Sequence, residues 1–174
     1  MLESSKFNFL VDQHKNRIFN YALYMLRNRM DAEDITQEVM IRTWQNINKF
    51  NFNKARACIM RTTHNLCIDY LRKNHLSFQR EMTIDIKNEN YLEDKGNDGN
   101  PANVVNKKMI DTKIKSDIEK LPEKLKSPFV LYELEGFKYR EISKILDVPL
   151  NTVKVNLLRA RKHLQKELKE YKND

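Results

Sequence analysis

The side chains best placed to do chemistry in this sequence are cations near its carboxyl end. Lys154, Arg159 and Lys162 fall opposite Val153 and Leu157 in an amphipathic helical pattern. Lysines and arginines that neutralise phosphates gain free energy because condensed counterions are released. The formal net charge of +8 favours the same kind of partner. We therefore expect this helix to bind a polyanion, with nucleic acid as the first candidate.

A short corner precedes this basic helix. Residues 139–146 have helical spacing, and Asp147-Val148-Pro149 interrupts it. Asp147 holds the corner position at which φ can be positive, a conformation that Asp tolerates better than most residues. The pattern predicts a DNA-binding helix-turn-helix, and the alternative is a plain corner between helices with a solvated basic face. The second helix has Asn151 or Thr152 as its predicted N-cap and Val153, Leu157, Ala160, Leu164 and Leu168 as its predicted inner face.

The remaining reactive residues do not form a catalytic or metal-binding pattern. Cys58 and Cys67 are nine residues apart in a helical stretch, so they face opposite ways and are expected to be two separate buried thiols. The four histidines have no Cys or carboxylate at zinc-ligand spacing, and no glycine-rich phosphate loop or nucleophile elbow is present. We expect no catalytic residue, no metal and no cofactor.

Charge and breakers divide the 174 residues into three parts. Residues 1–76 have 12 basic and 7 acidic side chains, residues 77–105 have 3 and 6, and residues 106–174 have 17 and 11. Gly96, Gly99 and Pro101 lie in the acidic middle part, where helical periodicity fades. The sequence predicts two small domains, 1–76 and 106–174, joined by a flexible acidic linker, 77–105.

Apolar residues recur at three- and four-residue steps on both sides of this linker, which predicts an all-α fold. Asp31 is the predicted N-cap of a helix that ends near Lys49, and another helix spans residues 55–74. Helical spacing returns over 105–121, stops at Pro122 and restarts over 123–135. The amino-terminal residues lack an apolar signal core, so a cytoplasmic protein is expected.

Three segments together carry a family resemblance: DAEDITQEVMIRTW (31–44), ARACIMRTTHNLCIDYLRK (55–73) and the segment 121–164 that includes the helix-turn-helix. In this order they resemble bacterial RNA polymerase sigma factors of the extracytoplasmic-function (ECF) group in the sigma-70 family. The resemblance implies a sigma-2 helical bundle and a sigma-4 helix-turn-helix bundle. It implies an alternative sigma factor that binds core RNA polymerase through its beta and beta-prime subunits and recognises and helps to melt promoter DNA, with an anti-sigma factor as a further possible partner.

The resemblance also implies roles for individual residues. Core polymerase binding is implied for Asp34, Gln37, Glu38 and Arg42. The minus-ten site is implied in the loop 48–54 and the following helix, with the residues Phe52, Asn53, Arg56, Arg61, His64, Asn65, Arg72 and Lys73. For Phe52, stacking on an extruded base and anchoring of the loop in the core are equal alternatives, whereas Phe50 is expected to anchor the loop.

The resemblance also implies that the early part of the second helix of the helix-turn-helix recognises the minus-35 element. Its apolar Val155 and Leu158 have the chemistry to contact thymine methyl groups. The residues implied are Thr152, Lys154, Val155, Leu158, Arg159 and Lys162, and the basic face continues through Arg161, Lys166 and Lys169.

Three other functions are alternatives to a sigma factor. A self-sufficient helix-turn-helix regulator explains the carboxyl-terminal half but leaves residues 31–73 without a role. An enzyme has no supporting motif. A helix-binding or anti-sigma protein has no need of the basic face on the last helix.

Overall fold

The computed structural model describes the backbone of residues 1–81 and 103–173, and the side chains of residues 1–77 and 111–171. The described chain is helical without strands, which confirms the predicted all-α class. Within this part of the chain no helix has the length and apolar character needed to cross a lipid bilayer. The α-helices are α1 (Leu2–Leu26), α2 (Arg29–Gln45), α3 (Ala55–Glu81), α4 (Asn103–Lys120), α5 (Glu123–Phe129), α6 (Tyr139–Leu146) and α7 (Leu150–Asn173).

Helices α1, α2 and α3 form the first bundle. Their inner faces bury Leu10, Ile18, Val39 and Ile59 completely or nearly so, as their apolar spacing predicted. The prediction that Asp31 caps α2 is wrong. The Asn28 side chain accepts a hydrogen bond from the Asp31 backbone N–H over 3.1 Å, so Asn28 is the cap and Asp31 lies in the first turn.

The connection from α2 to α3 consists of two short 3₁₀ turns, Ile47–Lys49 and Phe52–Lys54. Helix α2 therefore ends at Gln45, four residues before the predicted end near Lys49. Ile47 is buried and anchors the first turn, and the Asn51 side chain caps the second. This fixes the loop against the bundle.

Helices α4 to α7 form the second bundle. The predicted helix over 123–135 changes character part of the way along: α5 is followed by a π-helical turn, Val130–Leu134. Gly136 then has a positive φ of 71°, which ends the segment. At the corner between α6 and α7, Asp147 is left-handed with φ 53°, which confirms the prediction from its residue type.

The two bundles contact each other and share one continuous core. The Arg56 guanidinium donates through Nη2 to the Glu135 carbonyl oxygen and lies 4.1 Å from the centre of the Phe137 ring. Arg17 Nε adds an ion pair with Glu135 Oε2 at 3.9 Å. These contacts join the start of α3 to the turn that follows the π-helical segment.

The predicted linker, 77–105, lies mainly outside the described residues. Residues 77–81 continue α3, and residues 103–105 form the start of α4. The predicted cysteine environments are half right: Cys67 is buried, whereas Cys58 is exposed beside the α2–α3 loop.

Candidate nucleic-acid interface

The outer face of α7 presents cations and apolar side chains together. Val155 and Leu158 are 44% and 52% exposed, so two large apolar residues lie within one turn of each other on the solvent side of a helix that buries its other side. Lys154, Arg159 and Lys162 are exposed beside them, and Thr152 is half-buried at the start. The structure thus brings the six predicted minus-35 residues together at the amino-terminal half of one helix.

Arg161 does not belong to this face, although its position in the sequence suggested that it continues the basic stripe. Its guanidinium donates to Glu133 Oε1 from Nε at 3.0 Å and from Nη2 at 2.7 Å. It also lies 5.3 Å from the centre of the Tyr132 ring. Arg161 therefore packs on the π-helical segment, away from the recognition residues.

A second exposed face runs along α2. Asp34 and Gln37 are exposed and Glu38 is half-buried, and Glu38 Oε1 accepts a hydrogen bond from Arg42 Nε over 2.7 Å. Ile41 lies between them in the sequence and is 51% exposed. Ile41 therefore adds one exposed apolar side chain to this otherwise charged face.

Trp44 extends this region, since it is 43% exposed and its ring makes an edge-to-face contact with Phe7 at 5.1 Å. The helical spacing of Ile35, Val39 and Thr43 predicts that Trp44 shares their inner face. It instead lies at the border between core and surface.

The predicted minus-ten loop borders a cavity of about 530 Å³, which we call the loop pocket. Its wall includes Phe50, which is half-buried against the core as expected, while Phe52 lies outside it and is 39% exposed. Lys6 Nζ is 5.9 Å from the centre of the Phe52 ring. The loop pocket is lined by Arg42, Thr43, Asn46, Lys49, Phe50, Asn51, Lys54, Cys58 and Thr62.

Exposed polar residues lie along one side of α3, the helix that follows this loop. Arg61, Asn65 and Arg72 follow each other at steps of four and seven residues, which places them on one side of a helix. Arg72 Nη2 lies 3.8 Å from Asp69 Oδ1, and Lys73 and Asn53 are exposed at the two ends of the region. Five predicted minus-ten residues are therefore exposed in the loop and along α3, and three of them share one side of the helix.

His64 is a correction to the predicted set, because it faces the core rather than this surface. It is 9% exposed, and its Nδ1 shares a hydrogen bond of 2.8 Å with the hydroxyl of the fully buried Tyr21. Burial lowers the pKa of His64 to about 4, so the ring is neutral at physiological pH. A neutral, enclosed imidazole stabilises the bundle and does not contact a DNA strand.

Arg56 lies between the two bundles rather than on the exposed side of α3. Besides its contacts to Glu135 and Phe137, its Nε is buried without a hydrogen-bond partner among the described residues. Burial and the neighbouring Arg17 lower the pKa of Arg56, while Glu141 and Glu135 oppose that shift. Arg56 can reach a phosphate only after it leaves this position.

Some residues of these surfaces were missed or placed differently by the sequence analysis. Arg42, predicted only for the polymerase-binding helix, also lines the loop pocket together with Cys58 and Thr62. The available signal was the spacing of Cys58 and Thr62, four residues apart on α3 and directly after the loop. Ile41 could have been found because it follows Glu38 by three residues on the same side of α2.

Comparison with known proteins connects both bundles to one family. The sigma-70 region 2 family matches residues 10–76, and the sigma-70 region 4 family matches residues 114–164. The chain is 31% identical over 172 residues to the ECF RNA polymerase sigma factor SigW of Bacillus subtilis, and the match covers 97% of this chain and 91% of that protein. It is 27% identical over 165 residues to the ECF RNA polymerase sigma factor SigE of Mycolicibacterium smegmatis, where it covers 95% of this chain and 62% of the relative.

The fold is shared with a solved sigma factor, RpoE from Bartonella quintana, whose structure was determined in complex with the anti-sigma factor NepR. The TM-score is 0.75 at 20% sequence identity, and the likeness covers 94% of this chain and 96% of that one. The first bundle thus corresponds to region 2 and the second to region 4. The chain therefore belongs to the sigma-70 family as a sigma factor of the ECF group, an alternative sigma factor that initiates transcription.

Proposed function

We propose that the chain reads its promoter in two parts, with α7 in the major groove of the minus-35 element. The observation that carries this proposal is the outer face of α7, where three cations surround two exposed apolar residues. The cations supply contacts to phosphates or base edges, and Val155 and Leu158 have the chemistry to contact thymine methyl groups.

The minus-ten element is assigned to the loop pocket and the exposed side of α3. Phe52 offers an exposed aromatic ring on which an unpaired base can stack, and stacking contributes about 1–3 kcal/mol per base. Unstacking a base costs a few kcal/mol, so binding to the melted strand can offset that cost without covalent chemistry. Asn53, Arg61, Asn65, Arg72 and Lys73 are proposed to contact this strand, and Arg56 joins them once the two bundles separate.

Core RNA polymerase is assigned to the exposed face of α2 that contains Asp34, Gln37, Glu38 and Arg42. Ile41 supplies the apolar contact that a charged rim alone lacks. We place the domain boundaries at 1–76 and 106–174, joined by residues 77–105. In this proposal the chain acts in the cytoplasm, where the polymerase is, and it does so as a binding factor and not as an enzyme.

An anti-sigma factor is a further proposed partner, because the solved relative with the same fold was captured with one. A groove between the bundles, lined by Leu26, Leu71, Leu76 and Lys126 among others, has a volume of about 1380 Å³ and is accessible for such a partner. Among the residues proposed to contact promoter DNA, Arg72 lines this groove, so a partner bound there would cover part of the proposed minus-ten surface.

Run-off transcription with purified core RNA polymerase and a randomised promoter library tests the proposed function. We expect promoter-specific products that share two conserved elements, and sequencing the products identifies both. If the chain binds DNA but yields no specific product from the library, it is an operator-binding regulator instead.

Reversing the charge of Glu38 tests the polymerase-binding face. We expect Glu38→Lys to weaken holoenzyme formation at least tenfold in a fluorescence anisotropy titration with core polymerase, because a like charge then meets the partner. Loss of the exposed Glu38–Arg42 ion pair has a small effect on folding.

Glu33→Lys is the matched control for this experiment. Glu33 is an exposed acid on the same helix and is paired to Arg29 at 3.2 Å, but it lies about 140° around the helix from Glu38. Glu33→Lys should leave polymerase binding unchanged. Equal effects of both substitutions would indicate general electrostatics and would remove Glu38 from the interface.

A further inference from the structure

The groove between the two bundles contains a buried lysine without a partner. Lys126 on α5 lines this groove and is 6% exposed. Among the described residues, its side chain has no hydrogen bond and no ion pair. Lysine is rarely buried unless it is paired, because an enclosed ammonium loses its water without compensation. An anion in the groove would supply the missing partner.

A second cation, Arg27, lies close enough to Lys126 to repel it. Burial lowers the pKa of Lys126, and the charge of Arg27 lowers it further. Glu119 and Glu123 oppose that shift, but neither forms an ion pair with Lys126. Arg27 lines the same groove, and its guanidinium has no ion pair within the part of the chain that the structure describes. Each bundle therefore contributes one unpaired cation to the groove.

The backbone of Arg27 is strained. Arg27 follows the last residue of α1 in the left-handed region, with φ 56° and ψ 25°. Glycine usually holds this position at the end of a helix, because a side chain there crowds the backbone. Residues that keep such a conformation often occur at functional sites. At this position the chain keeps a guanidinium beside the groove at a cost in backbone strain.

The apolar part of the groove wall is aliphatic. Leu71 is half-buried and Leu76 is 52% exposed. The described wall contains no Phe, Tyr or Trp on which a ring could stack, so it suits an aliphatic group. The volume of about 1380 Å³ is large enough for a small molecule, since such sites have roughly 300–1,000 Å³. The aliphatic wall residues are Met25, Leu26, Ile68, Leu71, Leu76 and Leu121.

We propose that the groove between the bundles binds a small phosphate monoester with an aliphatic tail, held by Lys126 and Arg27. A phosphate monoester has a charge of about −1.5 to −2 at neutral pH, which balances the two cations. The planar guanidinium of Arg27 can donate two hydrogen bonds to it, and the Lys126 ammonium supplies a compact charge. The tail lies against the aliphatic wall. Because one cation belongs to each bundle, the bound phosphate holds the two bundles together. Neither cation belongs to the proposed promoter or polymerase contacts.

Binding of n-hexyl phosphate to the full chain tests the proposal. We expect it to shift the methyl NMR signals of Met25, Ile68 and Leu71 and to raise the melting temperature. Inorganic phosphate, 1-hexanol and heptanoate should each bind at least tenfold more weakly, because they lack the tail, the charge and the second negative charge, respectively. Equal affinity of any of these three compounds would overturn the proposed ligand class. No shifts at the groove, or shifts confined to Val155 and Leu158 on α7, would overturn the site.

Substitutions of Lys126 and Arg27 test the two cations. Lys126→Gln and Arg27→Gly should each weaken binding of n-hexyl phosphate at least tenfold. Without ligand, Arg27→Gly should melt at the same temperature as the wild type or higher, because glycine adopts a positive φ without strain. Its weaker binding is then not a result of unfolding. Lys124→Gln is the matched control, since Lys124 is exposed on the same helix and does not line the groove. If Lys124→Gln weakens binding as much as Lys126→Gln, or if Arg27→Gly binds as tightly as the wild type, the assignment is wrong.

Discussion

Arg159→Ala is expected to weaken binding to the minus-35 element by roughly tenfold to a hundredfold, about 1–3 kcal/mol. Arg159 is exposed on the outer face of α7, beside Leu158, and its planar guanidinium can donate two hydrogen bonds to a guanine edge. The loss should be greatest for the preferred sequence and small for unrelated DNA. Fluorescence anisotropy with the promoter recovered from run-off transcription, at a fixed salt concentration, measures both.

Substitutions of Lys154 and Arg161 show whether the effect of Arg159→Ala depends on the DNA sequence and on this face of α7. Lys154→Ala removes a proposed phosphate contact, so it should weaken binding to all DNA sequences alike. It should also reduce the slope of log affinity against log salt by about 1. Arg161→Ala is the matched control on the same helix, because its guanidinium is held by Glu133 and faces away from the recognition residues. If Arg161→Ala weakens binding as much as Arg159→Ala, or if Arg159→Ala and Lys154→Ala have no effect, the assignment of this face is wrong.

Stability of the first bundle is expected to fall by about 3 kcal/mol as the pH is lowered from 7 to below 4 because of His64 alone. Burial lowers the pKa of His64 from 6.5 to about 4. The unfolded chain therefore binds a proton at a higher pH than the folded chain, and protons favour unfolding within this window. Above pH 7 the ring is neutral in both states and stability is complete. Urea unfolding at a series of pH values, followed by circular dichroism, measures the loss.

Two variants separate the titration from the hydrogen bond. His64→Gln should be less stable at pH 7 but should lose the part of the pH dependence between 6.5 and 4 that His64 contributes, whereas His14, whose pKa is also lowered by burial, keeps its contribution. Tyr21→Phe removes the hydroxyl that shares the 2.8 Å hydrogen bond, so it should cost about 1 kcal/mol at neutral pH. It should keep the pH dependence, because burial is the cause of the shifted pKa. A wild-type profile identical to that of His64→Gln would show that His64 is not enclosed as described.

Local periodicity explains why so much of the fold was predictable. A helix that buries one side repeats its apolar residues at steps of three and four, and this rule located α2 to α7, with errors at helix ends and at the π-helical turn that interrupts residues 123–135. Helix ends depend on a single cap hydrogen bond, and three polar residues, Asn28, Asp31 and Asp34, were each chemically able to begin α2. The choice of Asn28 follows from the left-handed residue Arg27 before it, which ends α1.

The exposed outer face of α7 was predictable for the same reason, whereas the buried position of His64 was not. His64 follows Met60 by four residues and precedes Cys67 by three, so its spacing matches the buried side of α3. The family resemblance nevertheless implied a role for His64 in the minus-ten site, and its residue type is compatible with either core or surface. Only the packing of Tyr21 against it decides the question, since a hydroxyl from α1 satisfies the imidazole inside the bundle.

By itself, the sequence determined that this chain is helical, that it has two units, that Asp147 can turn the corner of a helix-turn-helix, and which side of α7 is exposed. These properties depend on residues within a turn or two of each other, and short-range patterns record them. The tertiary structure alone decided which cationic side chains are exposed to a partner and which are held by other residues of the chain. Arg56 meets Glu135 across 79 residues and Arg161 meets Glu133 across 28, and no local pattern records such pairings. It also decided that Asp117 is buried with one oxygen unsatisfied, because the packing of α4 against α5 and α7 removes water from that atom.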